Sequence, residues 1–402
     1  AGAGAGRTWP SQSSDWPPPQ MLVFKDGPSL YRMQVDESPM QLNTTRIWRG
    51  DVMDPHAVLG SCADLLSDIV AKSTDDEGLV DYIGCREDVE WRVFEAAVCE
   101  LQGVEVESMA TTSRLAFFIN LYNMAVVHAF VQVGVPCSDL KRFGFFDVVG
   151  YTVGGHALSL TDIESGILRG NRPAPYHLKA PFAAGDPRLA WSLELDPRIH
   201  YALNCGAKSC PPVRQYTPGG VGFELDLSAQ SWFEGDENCH VDMKKRALTV
   251  NTFMKWYSAD FGDGTTRGTL AFCFSHARGE KRDKLKFLLR VQAAKVGTKP
   301  GVRESLTNGL VGVGLLSRAS DSPRLSIADK DIDNVRIKYF PYDWGNNAVP
   351  GRFVKYDGKS AAAAREDSGS IMGCCGGGGG GGGRKRGSGS VGERFLAARP
   401  GG

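Results

Sequence analysis

The sequence predicts an α+β fold in which N-terminal helices pack on a mainly antiparallel sheet. Three observations predict it. The run from Thr112 to Val133 is apolar at helical spacing and is stopped by Gly134 and Pro136. Val148 to Val153 and Ala157 to Leu160 flank Gly154-Gly155, which reads as a hairpin. Ile199 to Cys205 reads as a short buried strand, with His200, Ala202 and Asn204 on one face and Tyr201, Leu203 and Cys205 on the other.

The elements follow in order. Residues 1–20 are rich in Gly, Ala, Ser and Pro and are expected to be disordered. Residues 21–45 suggest a hairpin around Asp26-Gly27. From Asp54 to Ala71, Val58, Leu59, Cys62, Leu65, Leu66, Ile69 and Val70 recur at helical spacing. A second helix is expected over Glu87 to Leu101, and the third, 112–133, takes Ser113 as its N-cap. The helix after the hairpin should begin with a capping box, Thr161 with Glu164, and end at Arg169. Beyond the central stretch come a short helix around LDLSAQSWFEG, a strand pair in ENCHVDMKKRALTVN and a helix in NTFMKWYSADFG. A helix near Lys284 to Val291 and a last strand in RIKYF follow. Residues 296–330 look like a surface insertion, and 357–402, with its unbroken glycine run, like a disordered tail. The main domain is expected over 50–350.

Composition sets bounds. The chain has 402 residues, and Lys+Arg and Asp+Glu number 46 each. Zero net charge argues against nucleic acid as a partner, and no apolar run has the length of a membrane span. The first residues, AGAGAG, carry neither an initiator Met nor a signal peptide, so the chain is expected to be a piece of a longer protein. Ten cysteines without repeated spacing suit a reducing compartment, and the expected location is cytoplasmic.

The residues with chemistry cluster around 196–214. Cys205 is expected at a strand end beside the Gly206 turn, five residues after His200, and Cys210 lies in the loop that Pro211-Pro212 terminates. Asn120 and Asn123 share a face of the third helix and need hydrogen-bond partners if buried. His128 reads as a core histidine. Arg169 and Asn204 are candidate substrate-binding residues, alongside Asn123.

HYALNCGAKSCPPVRQYTP resembles the signature of the domain of unknown function 547 family. DDEGLVDY, RLAFFINLYNMAVVHAF, SLTDIESGILRGN, WYSADFG and FPYDWGNNA stand around it in the family's order, from about Asp54 to Asn347 with one insertion. Residues 21–45 resemble the tail of a DEP domain, which in some relatives precedes this family after a glutaredoxin. The order of helix and strands loosely resembles papain and transglutaminase-like folds, although those carry Cys at a helix start where this chain offers Asn120. The family commonly has His where this chain has Ser165. Some plant members have Ser at the position of Cys210 and lack His at that of His200. That counts against an obligatory disulfide or zinc site, and against His200 as a universal base.

The resemblance implies a domain rather than a reaction, and the chemistry stays open. One reading is a thiol-dependent hydrolase or acyl transferase with Cys205 as nucleophile, His200 as base and Asn120 as orienting amide. A second is a thiol–disulfide pair of Cys205 and Cys210. A third is zinc held by His200, Cys205 and Cys210 with Cys239 or His240, but the spacing is unlike common zinc clusters, and no metal or cofactor is expected. A fourth is a non-catalytic scaffold that binds a protein partner.

Overall fold

The computed structural model describes residues 39–289 and 335–356, apart from residues 51, 53 and 263. The expected disordered ends, the insertion and most of the DEP-like segment lie outside the described residues.

The fold is α+β, built on two hydrophobic cores. The first gathers helices α1 (Pro55–Lys72), α2 (Tyr82–Glu87), α3 (Trp91–Ala97) and α4 (Thr111–Gln132) with strands β1 (Met40–Gln41), β2 (Val135–Pro136), β3 (Val149–Val153) and β4 (His156–Ser159). The Asp54 carboxylate caps α1 by accepting from the His56 and Ala57 amides, and Pro55 opens its first turn. Helix α4 is apolar on nearly every side and is buried along most of its length. By length and composition it could cross a bilayer, but 78% of its apolar window is buried inside the protein. Fully burying each large apolar side chain of such a helix contributes roughly 1.5–3 kcal/mol. Its N-cap is Ala110, which makes no side-chain cap bond. Ser113, the expected cap, instead bonds His56 Nε2 through Oγ at 2.7 Å.

The second core gathers α6 (Val221–Glu234), α7 (Phe253–Trp256), α8 (Thr266–His276) and α9 (Gly279–Leu288) around β5 (Cys239–Asp242), β6 (Ala247–Asn251) and β7 (Arg336–Phe340). Helix α5 (Asp139–Val148), between β2 and β3, adds Phe145 and Phe146 to the first core, and β8 (Lys355–Tyr356) ends the described chain.

The sheet expectation needs correction. The described strands form three small mixed sheets, in orders β1-β3-β4, β2-β8 and β5-β6-β7. The β3–β4 hairpin turns at Gly154-Gly155, both at positive φ, and β5–β6 is the second antiparallel pair. The pairs β1–β3, β2–β8 and β6–β7 are parallel.

No strand runs through 199–205. Residues Pro197–Tyr201 form a 3₁₀ turn instead. The Asp196 carboxylate accepts from the Arg198 amide, and Pro197 supplies a helical φ at the first position, so a helix start overrides the short alternation. Ile199, His200, Tyr201, Ala202 and Leu203 are all buried, so there is no half-buried face for a period of two to mark. Ile199, Ala202 and Leu203 pack into the first core and Tyr201 into the second, so this segment joins the two.

The capping box at Thr161 is also absent. Ser159 and Asp162 cap each other reciprocally, Ser159 N to Asp162 Oδ2 at 2.9 Å and Asp162 N to Ser159 Oγ at 3.0 Å. The following turn, Asp162–Leu168, is wound as a π-helix, and Glu164 is left to serve elsewhere.

His128 is a core histidine. Its Nδ1 lies 2.5 Å from the Tyr151 hydroxyl, Trp91 and Phe94 pack edge-on against its ring, and burial lowers its pKa to about 3. A folded pKa below the unfolded ~6.5 means that the unfolded chain binds the proton first. Stability from this site is full above that value and is lost as pH falls below it. Chemical denaturation between pH 7 and 5 should show the decline, and His128→Leu should flatten it.

Candidate functional site

The site is assembled by two loops that hydrogen bonds fold toward each other. Asn123, on α4, takes the role a strand partner would have had: its Nδ2 donates to Ala202 O at 2.9 Å and its Oδ1 accepts from Asn204 N at 2.9 Å. Asn204 then closes the next turn, accepting from Gly206 N at 2.7 Å and donating to Pro211 O at 2.8 Å. Gly206 adopts φ +78°, and a Cβ there would lie 2.3 Å from the Phe130 ring, so only glycine fits. This closure carries Cys210 back onto Cys205.

The two sulfurs lie 3.0 Å apart as free thiols. The Cys205 amide donates to Cys210 Sγ at 3.2 Å. The Tyr342 hydroxyl reaches Cys210 Sγ at 3.3 Å and Cys205 Sγ at 3.7 Å. Tyr342 is delivered by the second loop, which is tied to the first through Lys208 N to Gly345 O, Ser209 N to Asp343 O, and Asp343 N to Ser209 Oγ. Arg142, buried on α5, locks both loops by donating to Cys205 O at 3.1 Å and Trp344 O at 3.0 Å.

The surroundings treat the sulfurs unequally. Burial raises the Cys210 thiol, but donors from Cys205, Tyr342 and backbone amides outweigh it and hold its pKa below the ordinary thiol range. Cys205 is pushed up by its hydrogen bond to Cys210, by burial and by the charge on Cys210. The Cys205 amide and the Tyr342 hydroxyl, nearer to Cys210 than to Cys205, favour negative charge on Cys210.

Both thiols line a cavity of about 270 Å³, as does His200. His200 Nε2 lies 2.9 Å from Asp260 Oδ2, and its ring lies against those of Tyr257 and Phe261. No hydrogen bond joins His200 to either sulfur among the described residues. Asp260 has a fully buried side chain and also accepts from Arg169 Nε at 2.7 Å and Arg172 Nη1 at 3.2 Å. Arg169 donates further to Ser165 Oγ and Pro173 O. Burial alone would raise the Asp260 carboxyl, yet the hydrogen bonds and charges of His200 and Arg169 hold it well below the usual carboxylate range.

Of the residues singled out from sequence, the structure brings together Cys205, Cys210 and His200. Asn123, Asn204 and Arg169 support the site without lining the cavity. Asn120 is not in the lining; its side chain pairs with both backbone groups of Tyr216, at 2.7 and 3.0 Å. Cys239 is buried in the second core, whereas His240 is an exposed neighbour of Asp236. Among the described residues no three His, Cys, Asp or Glu side chains gather as a metal ligand set.

Sequence reasoning missed Tyr122, Tyr257, Asp260 and Tyr342, and it gave Glu164 only a capping role. Glu164 lines the cavity and accepts from the Tyr257 hydroxyl at 2.7 Å and the Tyr122 hydroxyl at 3.2 Å. The signal lay in WYSADFG and FPYDWGNNA, whose tyrosines and aspartate repay reading as site residues.

Residues 106–233 match the model of a family described as a protein of unknown function, DUF547. The match covers α4 and both thiols, and it ends before the segments that supply Tyr257, Asp260 and Tyr342. No curated protein and no solved structure matches the chain.

Proposed function

We propose that this protein is a dithiol oxidoreductase in which Cys210 is the attacking thiolate and Cys205 the resolving thiol. One observation carries the reading: two free thiols 3.0 Å apart share the Tyr342 hydroxyl in the wall of a cavity. Cys210 thiolate attacks one sulfur of a substrate disulfide, forming a mixed disulfide and expelling the other sulfur as a thiolate. Cys205, losing its proton, attacks Cys210 and expels the second substrate thiolate. The protein ends as the Cys205–Cys210 disulfide, its two electrons and the Cys205 proton leave with the two substrate sulfurs as one thiol and one thiolate, and solvent water protonates the second.

The acyl-transfer reading with Cys205 as nucleophile uses the same cavity. It needs a His200 nitrogen within reach of the Cys205 thiol, and among the described residues Asp260 holds Nε2 while no hydrogen bond joins the imidazole to either sulfur. The dithiol reading needs no such contact.

Residue-resolved iodoacetamide labelling across pH separates the two. Cys210 should label before Cys205, with a midpoint below the ~8.5 of an ordinary thiol. Burial lifts Cys62 and Cys239 to about 12, so both should label last. Cys205→Ala or Tyr342→Phe should move the Cys210 midpoint upward by removing a donor. Labelling of Cys205 first, slowed by His200→Ala, would favour acyl transfer.

A further inference from the structure

We propose that the cavity binds an organic ammonium group between the Glu164 carboxylate and the rings of Tyr176 and Trp256. The substrate class for the dithiol is then a cationic disulfide; that last step rests on the oxidoreductase reading, whereas the binding itself does not.

The lining contains one carboxylate and no Lys or Arg, and half of its side chains are aromatic. Glu164 forms no ion pair among the described residues. Its two oxygens each take one tyrosine hydroxyl, which fixes the carboxylate's orientation and leaves it further accepting capacity. Arg169 feels the Glu164 charge, but the hydrogen bonds of the nearby cations are made elsewhere. Arg169 is paired with Asp260 and lies over the Tyr257 ring at 4.8 Å, and Arg142 holds the carbonyls of Cys205 and Trp344. His200, the other titratable nitrogen in the wall, faces Asp260.

A carboxylate of fixed direction beside accessible aromatic surface is the chemistry that selects ammonium. The anion supplies charge, and ring faces attract a cation that has lost part of its water. Tyr176 and Trp256 stay 39% and 37% exposed, and both belong to this lining, with Trp256 backed by the rings of Tyr342 and Trp344. An anionic ligand would meet Glu164 with no partner in the lining. A purely apolar one would strip water from the carboxylate and leave its charge balanced by two tyrosine hydroxyls alone.

Calorimetric titration of the full chain with choline and with its neutral isostere 3,3-dimethyl-1-butanol tests this. Choline should bind at least ten-fold more tightly. Glu164→Gln, which keeps the size and an accepting oxygen, should bring the two affinities together, and Trp256→Leu should weaken choline. The readout involves no thiol chemistry. A choline preference without disulfide exchange would support the cation site and overturn the oxidoreductase reading alone. Disulfide exchange without a choline preference would do the reverse. Equal affinities of the wild-type chain for the two probes, or no binding of either, would overturn the cation site.

Discussion

Asp260→Ala is expected to lower stability by about 3–5 kcal/mol, the cost of breaking a buried ion pair by removing one partner. The carboxylate has no exposed surface and accepts from Arg169, Arg172 and His200 at once. Without it, the Arg169 guanidinium, itself buried, keeps its charge with only Ser165 Oγ and Pro173 O as acceptors. Arg172 is half exposed and recovers water, so most of the loss falls on Arg169 and His200. Equilibrium denaturation at pH 7 measures the change, and Asp260→Asn should cost less because it retains one accepting oxygen. The pH dependence has a definite sign. A carboxyl whose folded pKa lies below its unfolded ~3.9 stabilises fully above that value and loses its contribution as pH falls through the folded pKa. The gap between wild type and Asp260→Ala should therefore be constant from pH 7 to about 5 and narrow below about 4. A gap that is small at pH 7 would mean that Arg169 finds another partner.

Much of the first core was legible because its periodicity was long. Helix α4 runs Thr111–Gln132 against the expected 112–133, and α1 begins at the Asp54-Pro55 start signal. Short segments were legible only in part. Four apolar residues and a histidine from Ile199 to Leu203 fit a strand or a buried turn equally well, and the Asp196-Pro197 pair that decides between them is a backbone signal, not a pattern of hydrophobicity. The site was half legible for a related reason. Cys205 and Cys210 are close in sequence, and the glycine and proline between and after them mark a turn. Tyr342 comes from 132 residues further along, and the pairing of His200 with Asp260 spans 60, so spacing could not reveal either. Asn120 and Asn123 looked alike on one helix face. Asn123 builds the site loop, and Asn120 ties down Tyr216, a difference set by which chain segments pack opposite each.

The second large effect concerns the pair itself. Cys210→Ser should abolish the intramolecular disulfide and with it all disulfide reduction, while Cys205→Ser should stop the reaction one step later. In that variant Cys210 can still attack, but no thiol resolves the product, so a mixed disulfide on Cys210 should accumulate when cystamine, a small cationic disulfide, is added. To form the bond the sulfurs close from 3.0 Å to the ~2.05 Å of a disulfide.

A redox titration of the full chain in glutathione buffers of stepped ratio, quenched in acid and read by mass spectrometry at Cys205 and Cys210, measures this directly. The dithiol reading predicts that both cysteines lose their alkylation together, in one two-electron transition, with the loss of two hydrogens and no lasting glutathione adduct. Two thiols that remain alkylatable at every ratio, or that respond independently of each other, would contradict it.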